Sequence, residues 1–331
     1  MKHVSLLFTA VVFFFLSCKK DKPADNNNNN NVITLPTDPD TLTTGWQKVG
    51  TIPIEDWVSD VFFTDNNNGY ITSNYGIYKS ENGGLDWIKI NDATQVSNIG
   101  AKGSNACFVN ASSNIYHSSN YGQDILSESY ESAIPSGAPG FQDCFYSTNN
   151  NCYAISRLYV WKSIDGGAHF DTLMSFPESI GSVGSLFFTD DLHGWTCRNK
   201  NTVYQTTDGG HSWATNLVFS NSQDWMPVFF VDQNTGFVAT SYTVYKTTDG
   251  GATWGSNIIT AADSIITDIH FINSQEGYAC AGTKIFKTTD GGVNWTTVVA
   301  LGKKRINEIH FTDANHGWAC GQYGYVLRFN Q

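Results

Sequence analysis

Tyr204-Gln205-Thr206-Thr207-Asp208-Gly209-Gly210-His211-Ser212-Trp213 decides the fold, because this ten-residue phrase recurs along the chain. It returns at 78–87, 245–254 and 286–295, each time closing on a tryptophan: Trp87, Trp254 and Trp295. At 161–170 Phe170 takes the Trp place, and a worn copy at 116–125 ends on Ile125. Trp46, in Gly45-Trp46-Gln47-Lys48-Val49, falls in the same phase without a turn of its own before it. The seven markers are separated by 41, 38, 45, 43, 41 and 41 residues. A fixed period of this kind sets the architecture before any local reading does.

Each period carries an earlier signature as well. Ile269-His270-Phe271-Ile272-Asn273 leads to Gly277-Tyr278-Ala279-Cys280, and Ile309-His310-Phe311-Thr312-Asp313 leads to Gly317-Trp318-Ala319-Cys320. Phe62-Phe63-Thr64-Asp65, Phe187-Phe188-Thr189-Asp190 and Phe229-Phe230-Val231-Asp232 open three further copies. Short β-rich runs divided by Asp/Asn/Gly turns are strands joined by hairpins. Four strands in about 40–45 residues make one propeller blade. The last copy ends at Val326-Leu327-Arg328-Phe329 without a Trp strand, while Trp46 begins a Trp strand that lacks its blade. The expected fold is therefore all-β: a seven-bladed propeller of four-stranded antiparallel blades over residues 46–331. The N-terminal strand completes the last blade and removes an exposed edge.

Composition agrees. Aromatics are 14% of the 331 residues and charged residues only 15%, with 30 Gly. That balance belongs to β-structure rather than to a coiled coil or an acidic disordered chain. Nineteen Lys and Arg against 30 Asp and Glu give a net charge of -11, which argues against nucleic acid as partner.

The first 45 residues read differently. Lys2 and His3 precede a 13-residue apolar run from Val4 to Leu16, too short to span a bilayer and suited to a signal peptide. Leu16-Ser17-Cys18 resembles the end of a bacterial lipoprotein signal. The resemblance implies cleavage before Cys18, lipid on its sulfur, and a protein anchored in the cell envelope of a bacterium, at its outer membrane. Without it, the segment reads as an ordinary secretory signal with an incidental cysteine. The expected divisions are a signal peptide at 1–17, a lipidated Cys18 with an Asn/Thr/Pro-rich tether at 18–45, and the propeller from 46. Low hydrophobicity and proline prevent such a tether from building a core.

The Asp-Gly-Gly-x-x-Trp element resembles the Asp-box, or bacterial neuraminidase repeat. Residues 46–331 as a whole are similar to the seven-bladed propellers of the photosystem II assembly and stability factor family. Calcium loops need several converging oxygen ligands, and these turns offer one Asp and two Gly each. Asp165, Asp208, Asp249 and Asp290 are expected to accept hydrogen bonds within their own turns, as fold determinants, with no metal and no cofactor. The sialidases that share the Asp-box clamp a carboxylate with three arginines. This chain has four Arg in all, and lacks the Arg-Ile-Pro element that family would place near the first blade.

One column of the inner strands holds the candidate site. It reads Asp60, Asn98, Asp143, Ser185, Pro227, Asp268 and Glu308, and His270 and His310 stand two positions further along in adjacent blades. Inner strands surround the central channel, so Asp60, Asp143, Asp268, Glu308, His270 and His310 are expected at its mouth. They form either a solvated lining or a seat for a cationic ligand. Cys197, Cys280 and Cys320 share one packing slot, while Cys144 and Cys152 are candidates for a local disulfide. No Cys/His spacing of a zinc site occurs. The functional expectation is a membrane-anchored, non-catalytic binding or assembly module for a protein or glycan partner. The alternative is a carbohydrate-active enzyme using two channel carboxylates across one cleft.

Overall fold

In a computed structural model of the chain, residues 40–331 are described apart from 50–51, 53–56, 131, 134–139, 149, 177–182, 199–200, 220–225, 260–261 and 263. Cys18, the signal segment and the tether up to residue 39 lie outside the described residues. The described chain forms seven antiparallel sheets, five of them built wholly from consecutive strands and two each joined by an N-terminal strand. They are blade 1 (58–91), blade 2 (96–129), blade 3 (141–175), blade 4 (183–218), blade 5 (228–258), blade 6 (266–300) and blade 7 (306–330). Blade 7 takes its fourth strand from Trp46–Val49, which pairs with Val326–Asn330 in the register Trp46↔Phe329 to Val49↔Val326. The ring is closed as the sequence implied.

The repeated aromatics explain themselves in the packing between blades. In blades 4 to 7 the aromatic after the second-strand glycine stacks on the inner-strand phenylalanine of the next blade. Trp195 lies 3.6 Å from Phe230, Phe237 3.4 Å from Phe271, and Tyr278 4.3 Å from Phe311. Trp318 of blade 7 stacks at 3.6 Å on Phe63 of blade 1 and carries the pattern across the closure. The glycine before each aromatic is required because its own blade's phenylalanine lies over it. A Cβ on Gly236 would sit 2.2 Å from the Phe230 ring.

The Asp-Gly-Gly turns are rigid for an equally local reason. Asp208 Oδ1 accepts from the Thr206 hydroxyl at 2.8 Å and from the Ser212 N–H at 2.9 Å, while Gly210 N–H donates to Thr206 Oγ1 at 2.9 Å. Gly209 and Gly210 take φ of 71° and 87°, which side-chain-bearing residues adopt at a cost. Asp165, Asp249 and Asp290 repeat the pattern, accepting from Ser163, Thr247 and Thr288. The worn turn of blade 2 keeps it with Asn120 in the Asp place.

One boundary differs from expectation. The tether was read as running to residue 45, yet Thr41–Leu42 is a fifth strand on the outer edge of blade 6, paired with Ala300 and Val299. Asp40 is held by Lys304 at 2.7 Å and by the Tyr325 hydroxyl at 2.5 Å. Thr and Asp look like linker residues in isolation. Here they satisfy an open sheet edge and a buried lysine, so Asp40 to Leu42 belong to the described body.

Candidate functional site

The inner strands carry a bulge at one repeated place. Their register shifts between Val58 and Asp60, Val96 and Asn98, Phe141 and Asp143, Ile266 and Asp268, and Ile306 and Glu308. A bulge leaves a residue out of the ladder and re-aims the next side chain. The side chains so re-aimed are the column singled out in the sequence.

These side chains reach across to the next blade. Asp60 Oδ2 accepts the N–H of Ile99 at 2.7 Å, Asp143 Oδ2 that of Leu186 at 2.6 Å, and Asp268 Oδ2 that of Ile309 at 3.0 Å. Ser185 does the same for Val228 at 2.7 Å. Each acceptor therefore satisfies a backbone donor of its neighbour's inner strand, a group costly to bury unpaired. Glu308 has no such amide and hydrogen-bonds Asp268 instead.

Burial dominates the electrostatics of this layer. It pushes the Asp60 carboxyl up to about 7, against the pull of the Ile99 N–H and with added repulsion from Asp268. Asp268 is raised by burial to about 6, with the Glu308 hydrogen bond acting downward. Asp143 and Glu308 are raised well above the carboxylate range, burial first, with the other acids of the layer adding to it. The hydrogen bond between Glu308 and Asp268 raises Glu308 further and lowers Asp268. Among the described residues, no group of three His, Cys, Asp or Glu could hold a metal ion.

His270 and His310 belong to the next layer, which the sequence reading saw only in part. Phe62, Phe145, Phe187 and Phe229 occupy the same column, and the six rings form an arc. Centroids are 4.3 Å apart for Phe62–His310, 5.3 Å for His310–His270, 4.6 Å for His270–Phe229, 5.0 Å for Phe229–Phe187 and 4.9 Å for Phe187–Phe145. Gly100 of blade 2 holds the seventh place, where a Cβ would meet the Cys144 carbonyl oxygen at 2.9 Å. The signal was present in the first Phe of each Phe-Phe pair. His310 Nε2 donates to the Phe63 carbonyl at 2.9 Å. Burial lowers His310 to about 4 and His270 well below its ordinary value, so both are neutral rings packed in an aromatic layer.

Cys107, Cys144, Cys152, Cys197, Cys280 and Cys320 are all buried and unbridged. The proposed Cys144–Cys152 pair is thus two free thiols, packed beside Cys107. Cys280 and Cys320 sit directly across their hairpins from Asp268 and Glu308.

A cleft of about 800 Å³ opens between blades 4 and 5, beside the turns that join first to second strands. Phe187, Thr189, Asp190, Val231, Asp232 and Gln233 line it. Asp190 and Asp232 each accept two backbone N–H groups in their turns, and Gln233 Nε2 bridges to Asp190 Oδ2 at 2.6 Å. Those bonds tie the turns of the two blades together, and among the described lining residues no hydroxyl is hydrogen-bonded to a base.

No family model matches this chain, and no curated protein matches it in sequence. Its fold is that of several solved structures. YCF48 bound to a D1 peptide superposes with a TM-score of 0.72 at 16% identity, covering 87% of this chain and 97% of that one. YCF48 from Cyanidioschyzon merolae gives the same TM-score and identity, covering 87% and 99%. A catalytically inactive virginiamycin B lyase from Staphylococcus aureus, with quinupristin, gives 0.72 at 10% identity, covering 86% and 99%. At these identities the likeness is one of fold.

Proposed function

We propose that this chain is a cell-envelope lipoprotein, held through Cys18 at the outer membrane of a bacterium, whose propeller is a non-catalytic binding or assembly module. One observation carries the non-catalytic part: the repeated carboxylates of the channel are occupied by the backbone of the neighbouring blade. A glycosidase needs one carboxyl to protonate the leaving oxygen and another free to attack or to activate water. Asp60, Asp143 and Asp268 are acceptors for buried amides, and Glu308 is tied to Asp268. Such groups maintain a ring.

A protein partner is favoured over a glycan because a propeller of the same fold, YCF48, is seen with a peptide. The cleft between blades 4 and 5 is the place for it. Its rim of Asp190 and Asp232 suits a segment bearing Lys or Arg, and Phe187 gives it an apolar floor. The enzyme alternative takes support from the lyase fold and keeps its own test.

The test is crosslinking in isolated membranes. Wild-type chain should yield a protein adduct, and Asp190→Asn with Asp232→Asn, which keep the side-chain oxygens that accept the turn N–H groups and remove the charges, should lower its recovery severalfold. Cys18→Ala should move the folded protein out of the membrane fraction. A folded Cys18→Ala chain still in membranes sinks the anchoring, and turnover of an aryl glycoside abolished by Asp268→Asn sinks the non-catalytic reading.

A further inference from the structure

The topology sorts the loops to two ends of the ring. Turns joining first to second strands lie beside those joining third to fourth, as in the bonds from Gly209 N–H to Leu192 O at 2.9 Å and from Gly250 N–H to Asn234 O at 2.8 Å. This end carries Asp65, Asp190, Asp232 and Asp313 together with the Asp-Gly-Gly aspartates, and it is acidic. At the other end the second-to-third turns bond to the linkers between blades. Ile266 N–H donates to Ser241 O at 2.7 Å and Ile306 N–H to Gly282 O at 2.9 Å.

Four of the five large exposed rings among the described residues are at that second end; the fifth, Tyr121 at 47%, is in the third-to-fourth turn of blade 2 at the acidic end. Trp57 is 37% exposed, Tyr75 55%, Tyr242 42% and Tyr323 47%, with Ile265 beside them at 43%. These four rings and Ile265 fall in the contiguous blades 5, 6, 7 and 1. Lys303 and Arg305 are exposed in the linker between blades 6 and 7. Glu55, Asp56 and Asp263 are outside the described residues. Three of its turns hold non-glycine residues in the left-handed region, Ser113 at φ 67°, Ser241 at 46° and Tyr323 at 62°, against local preference.

The chain also enters here. Thr41 pairs with Ala300, the last residue of its strand, and Asp40 reaches Lys304 and Tyr325, so residue 40 stands at the aromatic end. Cys18 is 22 residues upstream in sequence.

We propose that this aromatic end docks on the lipid–water interface of the membrane, with Trp57, Tyr75, Tyr242 and Tyr323 as its anchors. Trp and Tyr rings settle at headgroup depth, one edge apolar and the other wet. A short tether holds the body at high effective concentration near the bilayer, so weak contacts suffice. Anionic lipid repels the acidic end, and charge and aromaticity thus choose the same orientation. The cleft between blades 4 and 5 then points away from the membrane toward a partner. The docking rests on the Cys18 anchoring proposed above, and its test is separable from it.

A single cysteine carrying a polarity-sensitive dye is placed at Tyr323→Cys, or at Val293→Cys on the acidic end, where the native residue is 56% exposed. The native body cysteines are buried and do not compete for label. Acylated protein is reconstituted in phosphatidylethanolamine–phosphatidylglycerol vesicles containing headgroup-depth spin-labelled lipid. Quenching at position 323 should exceed that at 293 severalfold, and Trp57→Ser with Tyr242→Ser should reduce it. The unacylated Cys18→Ser chain at high lipid concentration should keep the same asymmetry. Equal quenching at the two positions, or more at 293, overturns the docking even if the protein stays anchored. A dye at 323 that responds to soluble envelope polysaccharide and not to vesicles also overturns it, in favour of a glycan platform. Membrane retention of Cys18→Ser in cells counts against the anchoring alone.

Discussion

A chain beginning at residue 50 should lose its cooperative unfolding transition, whereas one beginning at residue 40 should melt as the full-length protein does. Residues Trp46–Val49 are the outer strand of blade 7, and without them that blade has three strands and an open edge. Trp46 is buried among Tyr278, Phe311 and Phe329, with ring centroids 6.3, 6.1 and 5.3 Å away. Trp46→Ala alone should cost about 3–5 kcal/mol, the range for a large aromatic removed from a core. A chain beginning at residue 46 keeps closure but gives up the Thr41–Leu42 strand and the Asp40–Lys304 ion pair, and should fall between the two. Equal melting temperatures for the chains from 40 and from 50 would contradict closure as the source of stability.

The second large effect is on pH. Asp60 at about 7 and Asp268 at about 6 hold protons more tightly in the folded ring than their ordinary value of 3.8 allows in the unfolded chain. Asp143 and Glu308 are displaced in the same direction. The folded state thus binds more protons than the unfolded state between about pH 4 and 7, and stability falls as pH rises through that window. The turn aspartates act oppositely. The Ser212 hydroxyl and N–H draw Asp208 down to about 2, and those of Thr253 do the same to Asp249, so their contribution disappears as pH falls below about 4. The melting temperature should therefore peak at about pH 4 and decline as pH rises to about 7. Asp268→Asn with Glu308→Gln should flatten that decline, beginning between about pH 4 and 6. A wild-type optimum at pH 8, or an unchanged slope in the double variant, would show that these carboxyls are not buried acids.

The ring and its closure were legible because propeller packing is periodic. Blades 4 to 7 repeat the glycine that clears a phenylalanine and the aromatic that stacks on the next one, as Gly236, Phe237 and Phe271 do. The turn aspartates were legible for the same reason. The acidic column was found, yet its role was not, because a bulge and a bond between blades leave no mark in a single period. Asp60 and Ile99 are 39 residues apart and meet only when blades 1 and 2 are placed side by side. The aromatic arc was half seen: two histidines stand out among seven positions, whereas phenylalanines in a hydrophobic repeat look like ordinary core. Asp40 to Leu42 were misjudged because polar residues near a proline-rich stretch give no sign of the edge they will cover.

Hydrogen exchange at the Leu186 amide most directly tests whether the channel carboxylates serve the ring and not a ligand. Its N–H donates to Asp143 across the boundary between blades 3 and 4. In the wild type it should be protected as strongly as amides within the strand ladders. In Asp143→Ala its exchange should accelerate by orders of magnitude while amides of blades 6 and 7 stay protected. Fast exchange at Leu186 in the wild type, or unchanged exchange in the variant, would contradict the assignment and return the column to the candidates for ligand binding.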